Sequence, residues 1–225
     1  MSELNLQWLG VDLRLREPAG EAEGALILNH GRGADENDLF GVLDLIDPGR
    51  RLLGVTTGAP WYGIPPGGRH WYFVERVGFP HAETFHRSYA ALGEGLDSLL
   101  TERGIPWSRT AIGGFSQGTV MSYAIGLGAG RPAPAAILAN SGFIPEVEGW
   151  EADTDRDVRV HISHGAADPV ISVDFARRDR ERLLAAGLEP VYLETPTGHL
   201  LPPDALTGMR DGLVAAIPGV GNVTS

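Results

Sequence analysis

The sequence predicts an α/β fold in which a mostly parallel sheet carries helices on both faces. Short continuous apolar runs, at residues 25–28 (Ala-Leu-Ile-Leu) and 135–139 (Ala-Ala-Ile-Leu-Ala), have the pattern of strands buried on both sides. They alternate with longer stretches of helical period, which is the signature of strand–helix–strand units. At 225 residues the chain is long enough for one full core of this type, and a single domain over 1–225 is expected.

The elements follow in order. Residues 4–16 alternate as an edge strand, with Val11, Leu13 and Leu15 on one face and Asp12, Arg14 and Arg16 on the other. A turn over 18–24 leads to the strand at 25–28. Then comes a glycine-bearing loop, Asn29-His30-Gly31-Arg32-Gly33-Ala34-Asp35, a helix over 37–46 and a strand over 51–56. From 58 to 78 the periodicity fails. Prolines, glycines and aromatics (Trp61, Tyr62, Trp71, Tyr72, Phe73) crowd a connection of the length usual for functional or mobile loops. These rings either cover the core or line a substrate cleft. Phe85, Tyr89, Leu92, Leu96 and Leu99 share one face of a helix over 82–103, which Gly104 and Pro106 end. After a strand–turn–helix unit over 110–127 come strands at 135–139, 158–162 and 189–193 and helices at 173–186 and 203–217. The acidic run at 146–157 reads as a solvated loop rather than a metal site.

Composition narrows the function. A net charge of -11 disfavours nucleic acid and anionic membranes, both of which repel an acidic surface. The absence of cysteine excludes disulfides, thiolate metal sites and a cysteine nucleophile. The first ten residues lack a basic segment followed by an apolar core, so no signal peptide is expected. No apolar run approaches the roughly 20 residues that span a bilayer. The expectation is a soluble cytoplasmic protein with no stable membrane insertion. Oligomeric state is open, a homodimer included.

The stretch Thr-Ala-Ile-Gly-Gly-Phe-Ser-Gln-Gly-Thr-Val-Met at 110–121 organises the rest. It runs from an apolar strand through Gly114-Phe115-Ser116-Gln117-Gly118 into a helix, the context in which G-x-S-x-G makes a nucleophile elbow. A serine hydroxyl attacks well only when exposed, fixed and beside a base. The sharp turn provides the first two, and Gly114 and Gly118, lacking Cβ, let strand and helix close on each other. The alternative for the pentapeptide alone is a glycine-rich turn with a capping serine, so its partners decide.

In elbow-based hydrolases the chain order is Ser, then Asp or Glu, then His. After Ser116 stand His161, His164 and His199. His161 falls in mid-strand as a half-buried structural residue, and His164 reads as a loop hydrogen-bonder. His199 follows the last strand, where an imidazole can lean over the sheet edge, and is the expected base. Asp168 is the expected orienting acid, since the acids at 146–157 precede their strand and so lie at its wrong end. The oxyanion hole is expected from the backbone N–H of Gln117 and, in the loop after residue 28, of Arg32. His30 is expected to hold that loop. With His199 as base, ester hydrolysis should rise through about pH 6.5, the free imidazole value. All these loops lie at carboxyl ends of strands, where open parallel sheets bind ligands.

Five segments together resemble the phospholipase/carboxylesterase family of α/β-hydrolases, which includes small bacterial carboxylesterases and acyl-protein thioesterases. They are Asn-His-Gly-Arg-Gly-Ala-Asp (29–35), Gly-Gly-Phe-Ser-Gln-Gly (113–118), Ala-Asn-Ser-Gly-Phe-Ile-Pro (139–145), His-Gly-Ala-Ala-Asp-Pro-Val (164–170) and Gly-His (198–199). The resemblance implies an α/β-hydrolase without a large cap domain and a metal-free, cofactor-free serine esterase. In it Ser116, Asp168 and His199 would form the triad, Arg32 and Gln117 the oxyanion hole, and small-molecule esters the substrates. Trp61, Tyr62, Trp71, Phe143 and Leu200 are the expected pocket walls. Thioester, lysophospholipid or lactone hydrolysis by the same residues, and a non-catalytic binding domain, are the alternatives. Asn29 and Arg32 stand where the family usually has apolar residues. A cation at 32 suits an acidic acyl group if it faces the site, and solvent if it does not.

Overall fold

The computed structural model describes residues 7–63 and 67–220. Seven strands form the central sheet: β1 (Asp12–Arg16), β2 (Ala25–Asn29), β3 (Leu53–Gly58), β4 (Thr110–Phe115), β5 (Ala136–Asn140), β6 (Arg159–Gly165) and β7 (Val191–Thr195). Their spatial order is β7-β6-β5-β4-β2-β3-β1. All neighbours are parallel except β1, which runs antiparallel to β3 at the edge.

Alternate residues of the strands feed two separate cores. Ile27, Val55, Ile112, Ile137 and Ile162 point to the face covered by α2 (Ala82–Glu102), α3 (Gln117–Leu127) and α4 (Val173–Ala185). Leu26, Leu28, Ala111 and Leu138 point to the face covered by α1 (Val42–Ile46) and α5 (Pro203–Ala216). This is why the inner strands read as unbroken apolar runs. α3 is buried at all 11 of its residues, as a helix apolar on every side must be. It packs behind β4 and β5 and carries the elbow at its head.

Four expectations need correction. The N-terminal strand is shorter than 4–16. Gly10, at φ 82°, breaks the run, Gln7–Trp8 pairs separately with Trp61–Tyr62, and residues 4–6 lie outside the described residues. Arg16 does not face solvent with Asp12 and Arg14. It is 5% exposed, and its guanidinium meets Asp47 Oδ2 at 2.5 Å. The helix expected from residue 37 starts at Val42. Before it, the Asp35 carboxylate accepts the Asn37 N–H at 2.8 Å, and successive i→i+3 bonds make turns instead of a helix. His164 lies within β6, not in the loop beyond it.

His161 is mid-strand as expected, but more deeply buried, at 4% exposed. It faces α5, where Gly208 makes room: a Cβ there would lie 2.4 Å from the imidazole. No helix among the described residues is long and apolar enough to cross a membrane, and no large cap stands over the sheet.

Candidate active site

Ser116 sits between β4 and α3 at φ 55°, ψ -120°, a conformation costing a non-glycine residue on the order of 1–3 kcal/mol. The surroundings hold it there. Its N–H donates to Asn140 O at 3.1 Å, and the Thr119 hydroxyl lies 2.7 Å from Gly114 O and 2.6 Å from Asn140 O. A Cβ on Gly118 would stand 1.9 Å from Asn29 O, and one on Gly114 would stand 2.4 Å from the same oxygen. The glycines therefore let strand β2 close on the turn. Gln117 is the first helical residue of α3, so helix geometry leaves its N–H without an intrahelical acceptor.

His199 Nδ1 lies 2.7 Å from Asp168 Oδ2. The other carboxylate oxygen accepts the N–H groups of Val170 at 2.8 Å and Ile171 at 2.9 Å. Burial pushes the Asp168 carboxyl up, but the His199 hydrogen bond and the two amides outweigh it, and the net shift is downward. The carboxylate thus stays ionised and accepts from Nδ1, which leaves Nε2 as the acceptor nitrogen. The His199 ring rests 4.7 Å from that of Phe115, the residue before Ser116. His199 and Ser116 line the same cavity, of about 530 Å³.

His164 takes part in this arrangement in a way its sequence position did not reveal. Its Nε2 lies 2.9 Å from Ile171 O and 3.4 Å from Asp168 Oδ2, which ties the end of β6 to the loop carrying the acid. Burial lowers its pKa. His30 is similarly neutral and structural. Burial depresses it to about 4, Ala59 N donates to its Nε2 at 3.0 Å, and its Nδ1 meets Gly31 O at 2.6 Å. It holds the loop that bears Arg32, which Gly33 N→Arg69 O at 2.9 Å pins from the other side. Gly31 and Arg32 both line the cavity.

The walls differ from expectation. Phe143 lines the cavity, but Trp61, Tyr62, Trp71 and Leu200 do not. Trp61 and Trp71 are buried, their indole N–H groups donating to Thr84 O at 3.2 Å and His30 O at 2.9 Å. Such internal carbonyl partners draw an amphipathic ring into the core. Tyr62 is exposed on the small Gln7–Trp8 pairing, and Leu200 is exposed. The apolar walls come instead from Tyr72, the hairpin of Val74–Arg76 with Phe79–Pro80, and Val170 and Ile171 beside Asp168. Gln117 braces that wall with its side chain, accepting from Trp71 N and donating to Tyr72 O, both at 3.0 Å. Among the described residues no group of three or more His, Asp or Glu side chains is arranged to hold a metal ion.

A parallel sheet in this order, leaving its central strand through a strained serine, is the architecture of the α/β-hydrolases. Solved structures share it. The esterase PE8 superposes with a TM-score of 0.81 at 24% identity, covering 92% of this chain and 100% of that one. A carboxylesterase from Mesorhizobium loti gives 0.79 at 20% identity, covering 93% and 99%. More narrowly, the chain belongs to the phospholipase/carboxylesterase family, whose model matches residues 12–211. Acyl-protein thioesterase 1 of Debaryomyces hansenii is 26% identical over 208 residues, covering 83% of this chain and 87% of that protein. The chain is accordingly a serine hydrolase acting on ester bonds.

Proposed function

We propose that the chain is a carboxylesterase that hydrolyses small-molecule esters of short to medium acyl groups through an acyl-enzyme on Ser116. The observation that carries the reading is the 2.7 Å His199–Asp168 pair, set against Phe115 in the cavity that Ser116 also lines. As Ser116 Oγ attacks the acyl carbonyl, His199 Nε2 takes its proton. Asp168 holds the imidazole in the tautomer that leaves Nε2 free and stabilises the imidazolium, without itself being protonated. The backbone N–H groups of Gln117 and Arg32 donate to the developing oxyanion, each lowering the barrier by on the order of 3 kcal/mol. His199 returns the proton to the departing alkoxide, then deprotonates a water that releases the acid and restores the serine. These groups supply the whole cycle with no metal or cofactor. The chain acts as one domain.

A fluorophosphonate probe should label Ser116, and Ser116→Ala should abolish labelling while remaining folded. A folded wild type that never labels would favour a non-catalytic binding domain and end the reading. Thioester cleavage by the same residues is a second reading, supported by the relative named acyl-protein thioesterase 1. Paired oxygen and sulfur esters of one acyl group decide between the two. Lactones in the same panel test the ring-opening alternative.

A further inference from the structure

The cavity shared by Ser116 and His199 is apolar along most of its wall, yet two arginines line it, Arg32 and Arg76, against a single acid, Asp38. Among the residues lining the cavity the arginines thus outnumber the acids, in a chain whose net charge is -11. Burial raises the Asp38 carboxyl, and Asp35 beside it pushes the same way.

Arg76 is held in a particular state. Its guanidinium carbon stands 3.7 Å from the centre of the Phe79 ring, across the turn of the hairpin that walls the cavity. Among the described residues it makes no ion pair, although ten other arginines do. The neighbouring Glu75 does not line the cavity. Stacking holds the face of the guanidinium and restricts its rotamers while leaving the N–H edges available, the arrangement that suits two-pronged capture of a carboxylate.

Resting on the carboxylesterase reading above, we infer that the preferred substrate is a half-ester of a dicarboxylic acid, its free carboxylate held by Arg76 while Ser116 attacks the ester carbonyl. Hydrolysis consumes one water and releases the alcohol and the dicarboxylic acid. The apolar walls take the methylene chain between the two carbonyl carbons. Arg32 adds to the positive potential at the same mouth.

The test compares aryl mono-esters of adipic and suberic acid with aryl hexanoate and octanoate, using wild type, Arg76→Gln and Arg76→Glu. Wild type should favour the anionic ester of one length by about tenfold or more in kcat/KM, the scale of a charge-assisted hydrogen bond. The preference should shrink as salt rises. Arg76→Gln should remove it, lowering kcat/KM on the anionic ester by about tenfold or more relative to its neutral counterpart in the same variant, and Arg76→Glu should invert it. Neutral esters cleaved with no anionic preference, or a preference that survives both variants, would overturn the inference and leave the esterase reading standing. Failure to cleave any ester, without Ser116 labelling, strikes the esterase reading itself. A second pair places the charge on the alcohol: 4-(2-carboxyethyl)phenyl hexanoate against 4-propylphenyl hexanoate. If Arg76→Gln affects only that pair, the assignment of the carboxylate to the acyl side is wrong.

Discussion

Gly118→Ala puts the geometry of the turn to a direct test. The added methyl would lie 1.9 Å from Asn29 O, 2.4 Å from Asn29 C and 2.5 Å from His30 O, all of them main-chain atoms. A carbon and a carbonyl oxygen need about 3.3 Å, so the end of β2 or the start of α3 must retreat by roughly 1.4 Å. No flexible side chain is available to absorb the shift. Asn29 and His30 lead directly into Gly31 and Arg32, and Gly118 directly follows Gln117, so the displacement separates the two amides proposed to hold the oxyanion. Misplacement of about 1 Å costs a reaction on the order of 100-fold, and overpacking of this kind costs about 1–3 kcal/mol of stability or more. The expected variant folds, unfolds at lower urea, and loses about 100-fold in kcat/KM per folded molecule on a neutral aryl ester. Gly41→Ala is the control, with nothing within 4 Å of its new Cβ and φ at -68°; both quantities should hold, the stability within about 0.5 kcal/mol. Wild-type kcat/KM in folded Gly118→Ala would refute the claim that this close approach sets the site.

Two further predictions concern buried charge. Asp47 is 1% exposed and accepts from Arg16 Nη2 at 2.5 Å, Leu52 N at 3.0 Å and Arg51 N at 3.1 Å. Asp47→Ala leaves Arg16 buried without its main partner and should cost about 3–5 kcal/mol in urea unfolding, whereas Glu194→Gln, at the exposed Arg177 pair, should cost at most about 1 kcal/mol. Equal losses would contradict this account. Asp179 is buried, and desolvation raises its carboxyl to about 6 even though Ile144 N donates to it at 2.6 Å. Because the folded value lies above the unfolded one near 3.9, its stabilising contribution is complete below about pH 4 and is lost as pH rises through about 6. Relative to Asp179→Asn, wild type should therefore lose about 1–2 kcal/mol between about pH 5 and pH 7.5. A constant difference across that range would show that Asp179 does not titrate there.

The order of strands and helices was legible because burial on both sheet faces leaves a period that no tertiary contact overrides. Asp168 and His199 were singled out by their places after the last two strands, and their side chains meet at 2.7 Å. What the periodicity hid was the destination of polar groups. Alternation assigned Arg16 to solvent, because nothing local announces an aspartate 31 residues away along the chain. The pocket walls were misplaced for a related reason. Trp61 and Trp71 looked like cleft residues in a stretch without period, but the carbonyls of Thr84 and His30 took their indole N–H groups inward. Val74, Val77, Val170 and Ile171, which do line the cavity, belong to turns and short strands whose apolar residues carry no periodic signal. His164 was assigned correctly as a hydrogen-bonder, yet that Asp168 would be its neighbour depended on how the loop folds back over four residues.

Asn29, at the end of the second strand, ties that strand to the turn that presents Ser116. The side chain is completely buried, accepts from the Thr57 hydroxyl at 2.6 Å and donates to Ser122 Oγ at 2.9 Å. Ser122 in turn donates to Gly118 O at 2.8 Å. One relay thus joins β3, β2 and the first turns of α3, with each polar atom partnered where an unpaired one would cost about 1–3 kcal/mol. An apolar side chain of the same volume could fill that space but would fix no angle between strand and helix. Directional bonds do, and the atoms they fix, Asn29 O and Gly118, are those in closest approach at the turn that presents Ser116. A second set does the same on the other flank, where Asn140 accepts from Ser163 Oγ at 2.5 Å and its N–H donates to Thr119 Oγ1 at 3.1 Å. The strained serine is therefore held from both neighbouring strands by hydrogen bonds whose geometry tolerates little drift. That is the requirement an attacking hydroxyl places on its scaffold.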